Sequence, residues 1–294
     1  MATRVTAILP VPAGVRADGI LGGLVSVLEQ TCDPEVLVVT QGGDPAIVRA
    51  FLDLSVSVVH LDVPGASAAA LRNAAWVHAS RPYVVFVEPD ETLAAKDVLA
   101  RHAAALDADV AVAASYGQTT IERPQGPVVR PSRGRGGRIQ RRLVQQKELI
   151  ASAASVLWRK DALPARPFDE ANATPSSLLL ALTLSVAGER PFHYMAVPVA
   201  RSVARKETLG SLEEKARIFL GLLYGARALD ERLEQRVRFR LARHLVAIGK
   251  HHYRAGDFAK AGSFFGEAVK AAPSYFRGRR YQFLNFVKRV IARV

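Results

Sequence analysis

Between Arg4 and Asp90 the chain alternates between short β-branched apolar runs and longer stretches with apolar residues at helical spacing. "RVTAILPV", "EVLVVTQ", "VSVVHLDV" and "YVVFVEPD" have the make-up of buried strands, and "ILGGLVSVLEQ", "PAIVRAFLDL" and "ASAAALRNAAWVHA" separate them with helical periodicity. This alternation predicts an α/β fold with a doubly wound, mostly parallel sheet, because parallel neighbours need crossover connections and helices supply them. Ligands in such sheets bind outside the carboxyl ends of the strands. The polar segments "PVPAG", "TQGGD", "DVPGAS" and "EPDE" are therefore expected along one edge.

That edge includes "VVFVEPDET", residues 84 to 92, an apolar strand running into Glu88, Asp90 and Glu91. Two readings fit these residues. Pro89 breaks the strand ladder and the acids meet water in a turn, or the carboxylates hold Mg2+ or Mn2+ against a diphosphate.

With 294 residues, 49% of them hydrophobic, the chain can bury a large core and is expected to form one large domain and a smaller one. No run approaches the roughly 20 apolar residues of a membrane span, and the start lacks a signal-peptide pattern, so a cytoplasmic protein is expected. The single cysteine, Cys32, excludes an internal disulfide and a cysteine metal cage. Heavy use of Ala and Arg, with a pI near 10.3, suggests a high-GC bacterial source as readily as a basic function.

Charge is unevenly placed. Residues 1 to 122 carry seven Lys or Arg against fourteen acids, whereas 201 to 294 carry twenty-one against eight. Between them "RPQGPVVRPSRGRGGRIQRR" interleaves seven Arg with Pro and Gly that forbid regular structure until about Ile139. This basic loop, 123 to 138, reads as a mobile segment, either a linker with solvated charge or an anion-attracting flap over a site.

The order "VTAILPVPAG", "SVLEQTCDPEVLVVTQGGD", "VPGASAAALRNAA", "RPYVVFVEPDE" and "ASAASVLWRKDALPARPFDEA" resembles the inverting family 2 glycosyltransferases, over roughly residues 4 to 205. The resemblance implies the nucleotide-diphospho-sugar transferase fold. It implies that Pro10 starts the donor pocket and that Arg72 and Asn73 are the Arg-Asn pair of the helix before the metal motif. It makes Glu88-Pro89-Asp90 the counterpart of the family's Asp-x-Asp motif, with Asp90 and Glu88 holding a divalent metal, Mg2+ or Mn2+. "SVLWRKDAL" and the stretch Phe168 to Glu170 match the family's later strand and the turn near its acceptor site.

The chain also departs from the family. Where the second strand ends in Asp-Asp-Gly-Ser, this chain has Thr40-Gln41-Gly42-Gly43, so Gln41 meets a base edge through hydrogen bonds without charge, and Asp44 lies three residues along. The family's Glu-Asp pair, whose Asp is the general base, aligns with Ser176 and Ser177. A serine cannot take the acceptor proton at neutral pH without a base of its own. Asp169 and Glu170, the nearest acids, are the candidates to replace it.

From residue 206 the signals are helical. Ser211, with Glu214 three residues on, predicts a capping box opening a helix. "LVAIGKHHYRAGDFAKAGSFFGEAVKAAP" resembles one tetratricopeptide repeat, with Leu245, Ile248, Gly249, Gly256, Phe258, Ala261, Phe265, Ala268 and Pro273 at that repeat's positions. The adjacent His251 and His252 face different sides of a helix, which argues against a metal pair. The last segment, "FRGRRYQFLNFVKRVIARV", is a basic amphipathic helix that fits either a capping role or an anionic membrane surface. No nucleic-acid motif accompanies the charge.

The expectation is thus a glycosyltransferase-like domain over 1–205 and a helical, tetratricopeptide-like domain over 206–294. The first would move a sugar from a nucleotide-diphosphate donor to a hydroxyl acceptor (glycan, lipid-linked or protein), in the cytoplasm or peripherally at the inner membrane face. The alternative is a catalytically degenerate domain that binds a nucleotide-sugar or a protein partner without turnover.

Overall fold

Val5–Val11 (β1), Glu35–Gln41 (β2), Ser57–Leu61 (β3) and Tyr83–Phe86 (β4) pair in parallel in the order β3-β2-β1-β4. The structure is a computed structural model that describes residues 4–15, 17–41, 57–61, 66–131, 133–145, 149–205, 207–225 and 229–291. The expected helix "PAIVRAFLDL", Asp44 and most of "TQGGD" and "DVPGAS" lie outside the described residues. Every residue of β1 is buried, as a central parallel strand covered on both faces requires. Ala17–Leu28 (α1) buries Ile20, Leu24 and Val27 against this sheet. Ala68–His78 (α2) starts at Ser67, whose hydroxyl accepts a 3.1 Å hydrogen bond from the Ala70 N–H.

Beyond β4 the sheet becomes mixed. Glu91–Leu93 (β5), Val98–Ala108 (α3), Ala114–Glu122 (β6), Val128–Arg130 (β7), Gln140–Gln145 (α4), Val156–Arg159 (β8), Pro175–Ala187 (α5) and Phe192–Val203 (β9) follow along the chain. β8 lies antiparallel between β4 and β6, whereas β9 runs parallel to β6 and antiparallel to β5. The full order is β3-β2-β1-β4-β8-β6-β9-β5, with β7 on β6. Strand succession reverses at β1, since β2 and β3 lie on one side of it and β4 on the other. The crevice beyond the carboxyl ends of β1 and β4 is consequently the place where this architecture takes a ligand.

The basic loop, expected to be mobile, is tied to the sheet instead. β7 pairs with β6, Gly137 and Phe192 exchange backbone hydrogen bonds of 2.7 and 2.9 Å, and the Tyr116 hydroxyl donates to the Arg135 carbonyl at 2.9 Å. A Cβ on Gly134 would fall 2.0 Å from the Tyr194 ring, so this glycine lets the backbone lie flat on the aromatic face. The Gly and Pro residues made the segment irregular without making it loose. Arg133, Arg135 and Arg138 remain exposed on it.

The chain divides into two compact units, Met1–Arg205 and Lys206–Val294. The second consists, among the described residues, of Leu209–Tyr224 (α6), Glu231–Arg254 (α7), Phe258–Ala271 (α8) and Phe276–Ile291 (α9). Ser211 is not the cap of α6. Thr208, an equally good capping residue three positions earlier, accepts from the Ser211 N–H at 3.2 Å, so Ser211 sits in the first turn. Gly249 allows α7 and α8 to meet closely, since a Cβ there would lie 2.5 Å from the Phe265 ring. Phe265 stacks in turn on Tyr281 of α9. His252 stacks on Phe264 at 5.5 Å. Among the described residues no helix is long and apolar enough to cross a membrane.

A polar chain runs through the interior of the first unit. The Ser115 hydroxyl on β6 lies 2.8 Å from His102 Nδ1 on α3 and 3.0 Å from His193 Nδ1 on β9. Ser115 has one hydroxyl proton, so one imidazole accepts it and the other donates its own. Burial, then the neighbouring His193 and Arg101, push the His102 pKa down to about 3. Folding thus requires neutral His102, whereas the unfolded chain protonates near pH 6.5. Its contribution is intact above that pH and is lost as pH falls from about 6.5 towards 3. The stability advantage of the wild type over His102→Gln should shrink by about 1.4 kcal/mol per pH unit below pH 6, as read from urea midpoints. A pH-independent difference would show that His102 does not titrate this way.

Candidate active site

The strand-to-acid transition at residues 84–92 resolves into a tight turn. The Glu91 N–H bonds the Glu88 carbonyl at 2.9 Å, with Pro89 at the position where its fixed φ suits a turn. α1 clamps this turn from behind, because Gly23 is so close that a Cβ would come within 2.9 Å of the Glu91 carbonyl oxygen. The turn sends its three carboxylates to three different partners.

Glu88 is buried and forms an ion pair with the Nη2 of Arg72 on α2, itself only 2% exposed. Arg72 also donates to the Ala68 carbonyl and lies 5.9 Å above the Phe168 ring. Glu91, also buried, accepts from the backbone N–H groups of Ala153, Ala154 and Glu88 at 3.2, 3.0 and 3.3 Å, which fixes the start of the short 3-10 turn Ala153–Ser155. Burial, and then the charge of Glu88, hold the Glu91 pKa up to about 7 against the opposing pull of Arg205 and the backbone donors. Asp90 is part-exposed and takes a two-point fork from Arg205, with Nε to Oδ2 at 2.7 Å and Nη2 to Oδ1.

Arg205 had no place in the sequence reading, where it marked the domain boundary. Strand pairing explains its arrival. Glu91 lies opposite Ser202 in the antiparallel β5–β9 pair, and continuing that register brings Arg205 level with the acid turn. Burial alone would lower its pKa, but the hydrogen bond to Asp90 and the charges of Glu91, Asp90 and Glu88 raise it.

Asn73, next to Arg72, joins α2 to the segment carrying the proposed bases. Its Nδ2 donates to the Phe168 carbonyl at 2.8 Å and its Oδ1 accepts from the Phe168 N–H at 3.0 Å. The same Nδ2 lies 3.2 Å from Glu170 Oε1, and Phe168 packs edge-on against Phe86 of β4 at 4.9 Å. Glu170 also pairs with Arg166 at 3.6 Å. Asp169 is turned into its own loop, accepting from the Ala171 N–H at 2.9 Å and the Asn172 amide at 3.3 Å. Ser176 and Ser177 occupy the first turn of α5, Ser176 exposed and Ser177 buried, the latter accepting from the Thr174 hydroxyl at 2.8 Å.

β1 runs past its pairing with β4, which ends at Ile8, while Pro10 stays paired with Val39 of β2. Gln41 Oε1 accepts from the Ala13 N–H at 3.4 Å, joining the end of β2 to the loop after β1. Pro10 and Gln41 thus lie at the carboxyl ends of β1 and β2, and Arg72, Glu88, Asp90 and Glu170 are joined through α2, the acid turn and Arg205, while Asp169 spends its carboxylate locally. Glu88 and Asp90, the pair that the resemblance assigns to a divalent cation, are each held by a guanidinium and do not offer it two free carboxylates as arranged. Among the described residues no group of three His, Cys, Asp or Glu side chains is placed to hold a metal ion.

No protein-family model matches the chain, and no curated protein matches it. Solved structures do. S. aureus TarS 1-349 in complex with UDP is 16% identical, with a TM-score of 0.69 over 97% of this chain and 89% of that one. The same TarS fragment in complex with UDP-GlcNAc has a TM-score of 0.66. The mannosyltransferase PcManGT from Pyrobaculum calidifontis, in complex with GDP-Man and Mn2+, is 19% identical with a TM-score of 0.54 over 97% of this chain and 84% of that one. At these identities the likeness is one of fold, and the fold is the one expected from the resemblance.

Glu88→Gln should be costly, because it strands the buried Arg72 cation. The expected loss is about 3 to 5 kcal/mol in urea unfolding, with most of it regained by the apolar double variant Arg72→Met/Glu88→Leu. Asp90→Asn breaks a part-exposed pair and should cost no more than about 1 kcal/mol. Equal losses at the two positions would contradict the division of roles within the turn.

Proposed function

We propose that the chain is a glycosyltransferase that moves a hexose from a nucleoside-diphosphate donor to a hydroxyl acceptor with inversion. The observation that carries this reading is the meeting of Arg72, Glu88, Asp90 and Arg205 at the ligand edge of a fold whose solved examples hold UDP, UDP-GlcNAc and GDP-Man. Pro10 and Gln41 would flank the nucleoside, and the acid turn with the part-exposed Arg205 would face the diphosphate while the buried Arg72 holds the turn in place.

In the transfer the acceptor oxygen bonds to the anomeric carbon and the bond from that carbon to the diphosphate oxygen breaks, its electron pair leaving with the nucleoside diphosphate. The acceptor proton passes to a carboxylate. Ser176 and Ser177 provide none, and Asp169 is engaged in its turn. Glu170, exposed and linked through Asn73 to the helix that holds Glu88, is the better placed base. Loss of a general base typically slows transfer by about 10² to 10⁴.

A panel of UDP- and GDP-sugars should contain a donor that raises the melting temperature, since a ligand at 100 times its Kd stabilises the native state by about 2.7 kcal/mol. Glu170→Gln should keep that shift and lose transfer, whereas Asp169→Asn should stay within about tenfold of wild type. Donor binding without transfer, converted to transfer by Ser177→Asp, would establish the alternative, a nucleotide-sugar-binding module. No shift with any donor would remove both readings and favour a domain that binds a protein partner.

The second unit carries a pointer of its own to a membrane. Phe276, Phe283 and Phe286 on α9 are 73%, 66% and 64% exposed, beside exposed Arg277, Arg279, Arg280 and Lys288. Exposed aromatics among cations support peripheral contact with an anionic membrane. The chain should sediment with vesicles containing phosphatidylglycerol but not with neutral ones. Either 0.5 M salt, which shortens the screening length to about 4 Å, or Phe283→Ser/Phe286→Ser should release it. Equal sedimentation with neutral vesicles would count against the electrostatic contact.

A further inference from the structure

We infer that Arg205 supplies, at the donor diphosphate, the positive charge that a divalent cation would otherwise bring, and that this site binds nucleoside diphosphates without a metal. The inference rests on the donor-site reading above and concerns how that site meets its anion.

The acid turn is already balanced by cations from the chain itself. Arg72 neutralises Glu88 in the interior, and Arg205 holds Asp90 by both carboxylate oxygens. Glu91 is committed to the backbone N–H groups of Ala153, Ala154 and Glu88. A divalent ion at Asp90 would compete with a guanidinium already held in a bidentate fork, the strongest arrangement open to an arginine and a carboxylate. At Glu88 it would have to enter a buried site beside the Arg72 cation, whose charge repels it and whose counter-charge it would weaken.

The two arginines differ in what they can do. Arg72 is 2% exposed and is spent on Glu88, the Ala68 carbonyl and the Phe168 ring, so its role is to position the turn. Arg205 is 38% exposed, and its fork uses Nε and Nη2 only. A guanidinium carries further N–H groups beyond those two, which phosphate oxygens can accept while Asp90 keeps its hold. Asp90 is then a positioning residue for Arg205. The β5–β9 pairing fixes this arrangement, because it delivers Arg205 to the turn from a neighbouring strand.

The test measures UDP and GDP binding to the full chain by calorimetry, in EDTA and in Mn2+, together with Mn2+ binding alone by electron paramagnetic resonance. Wild type should bind its nucleotide with a Kd unchanged, within about twofold, between the two conditions, and should leave the free Mn2+ signal unaltered. Arg205→Ala should weaken binding in EDTA by about tenfold or more, the loss expected for a charge-assisted contact. It should also acquire Mn2+ binding through the vacated Asp90, and Mn2+ should then restore part of the nucleotide affinity. Arg205→Lys keeps the charge without the fork and should fall between the two. Mn2+ uptake by wild type, or nucleotide binding that requires Mn2+, would overturn the inference alone. Failure of both UDP and GDP to bind wild type in either condition would overturn the donor-site reading and the inference with it.

Discussion

The buried ion pair between Arg72 and Glu88 is the interaction on which the geometry of the ligand edge depends. Two charges out of contact with water are tolerated only when each satisfies the other in good geometry. That demand ties α2, which carries Arg72, to the end of β4, which carries Glu88. The tie extends further, because Arg72 lies over Phe168 while its neighbour Asn73 takes both backbone groups of that residue. One helical turn therefore sets the positions of both the acid turn and the segment 168–170.

The acid turn shows how a motif can be readable and its division of labour hidden. Hydrophobic runs and the helical stretches between them carried enough signal to place β1 to β4, because buried parallel strands impose composition at every position. Within "EPDE" the spacing marked a polar strand end and nothing more. Which acid is buried depends on what faces it: Arg72 from sixteen residues earlier, the Ala153 and Ala154 N–H groups from about sixty residues later, and Arg205 from the far end of the unit. Local sequence cannot encode those distances. Arg205 was missed for this reason, and a long-range strand register, Glu91 opposite Ser202, is the signal that could have found it.

The basic segment between β6 and α4 illustrates a second limit. Gly and Pro are reliable signs that regular structure stops, but they say little about mobility. Gly134 and Gly137 serve here as contact points, one lying against the Tyr194 ring and the other bridged to Phe192. The cap of α6 is a smaller case of the same kind. Thr208 and Ser211 are both capping residues at helical spacing, and the one that satisfies a backbone donor at the true helix start cannot be chosen from residue type alone.

Ser176 and Ser177 stand at the start of α5, where the resemblance expects acids. A base at those positions would sit at the start of α5, where the exposed positive end of the helix favours a carboxylate's ionised form. Glu170 has no helix behind it. Its orientation comes instead from Asn73 and Arg166, at 3.2 and 3.6 Å. Because Asn73 is adjacent to Arg72, the group that would receive the acceptor proton and the ion pair that holds the donor edge hang from the same turn of α2. Movement of that turn would shift the acid turn and the segment 168–170 together, so the spacing between Glu88 and Glu170 is kept by a single element.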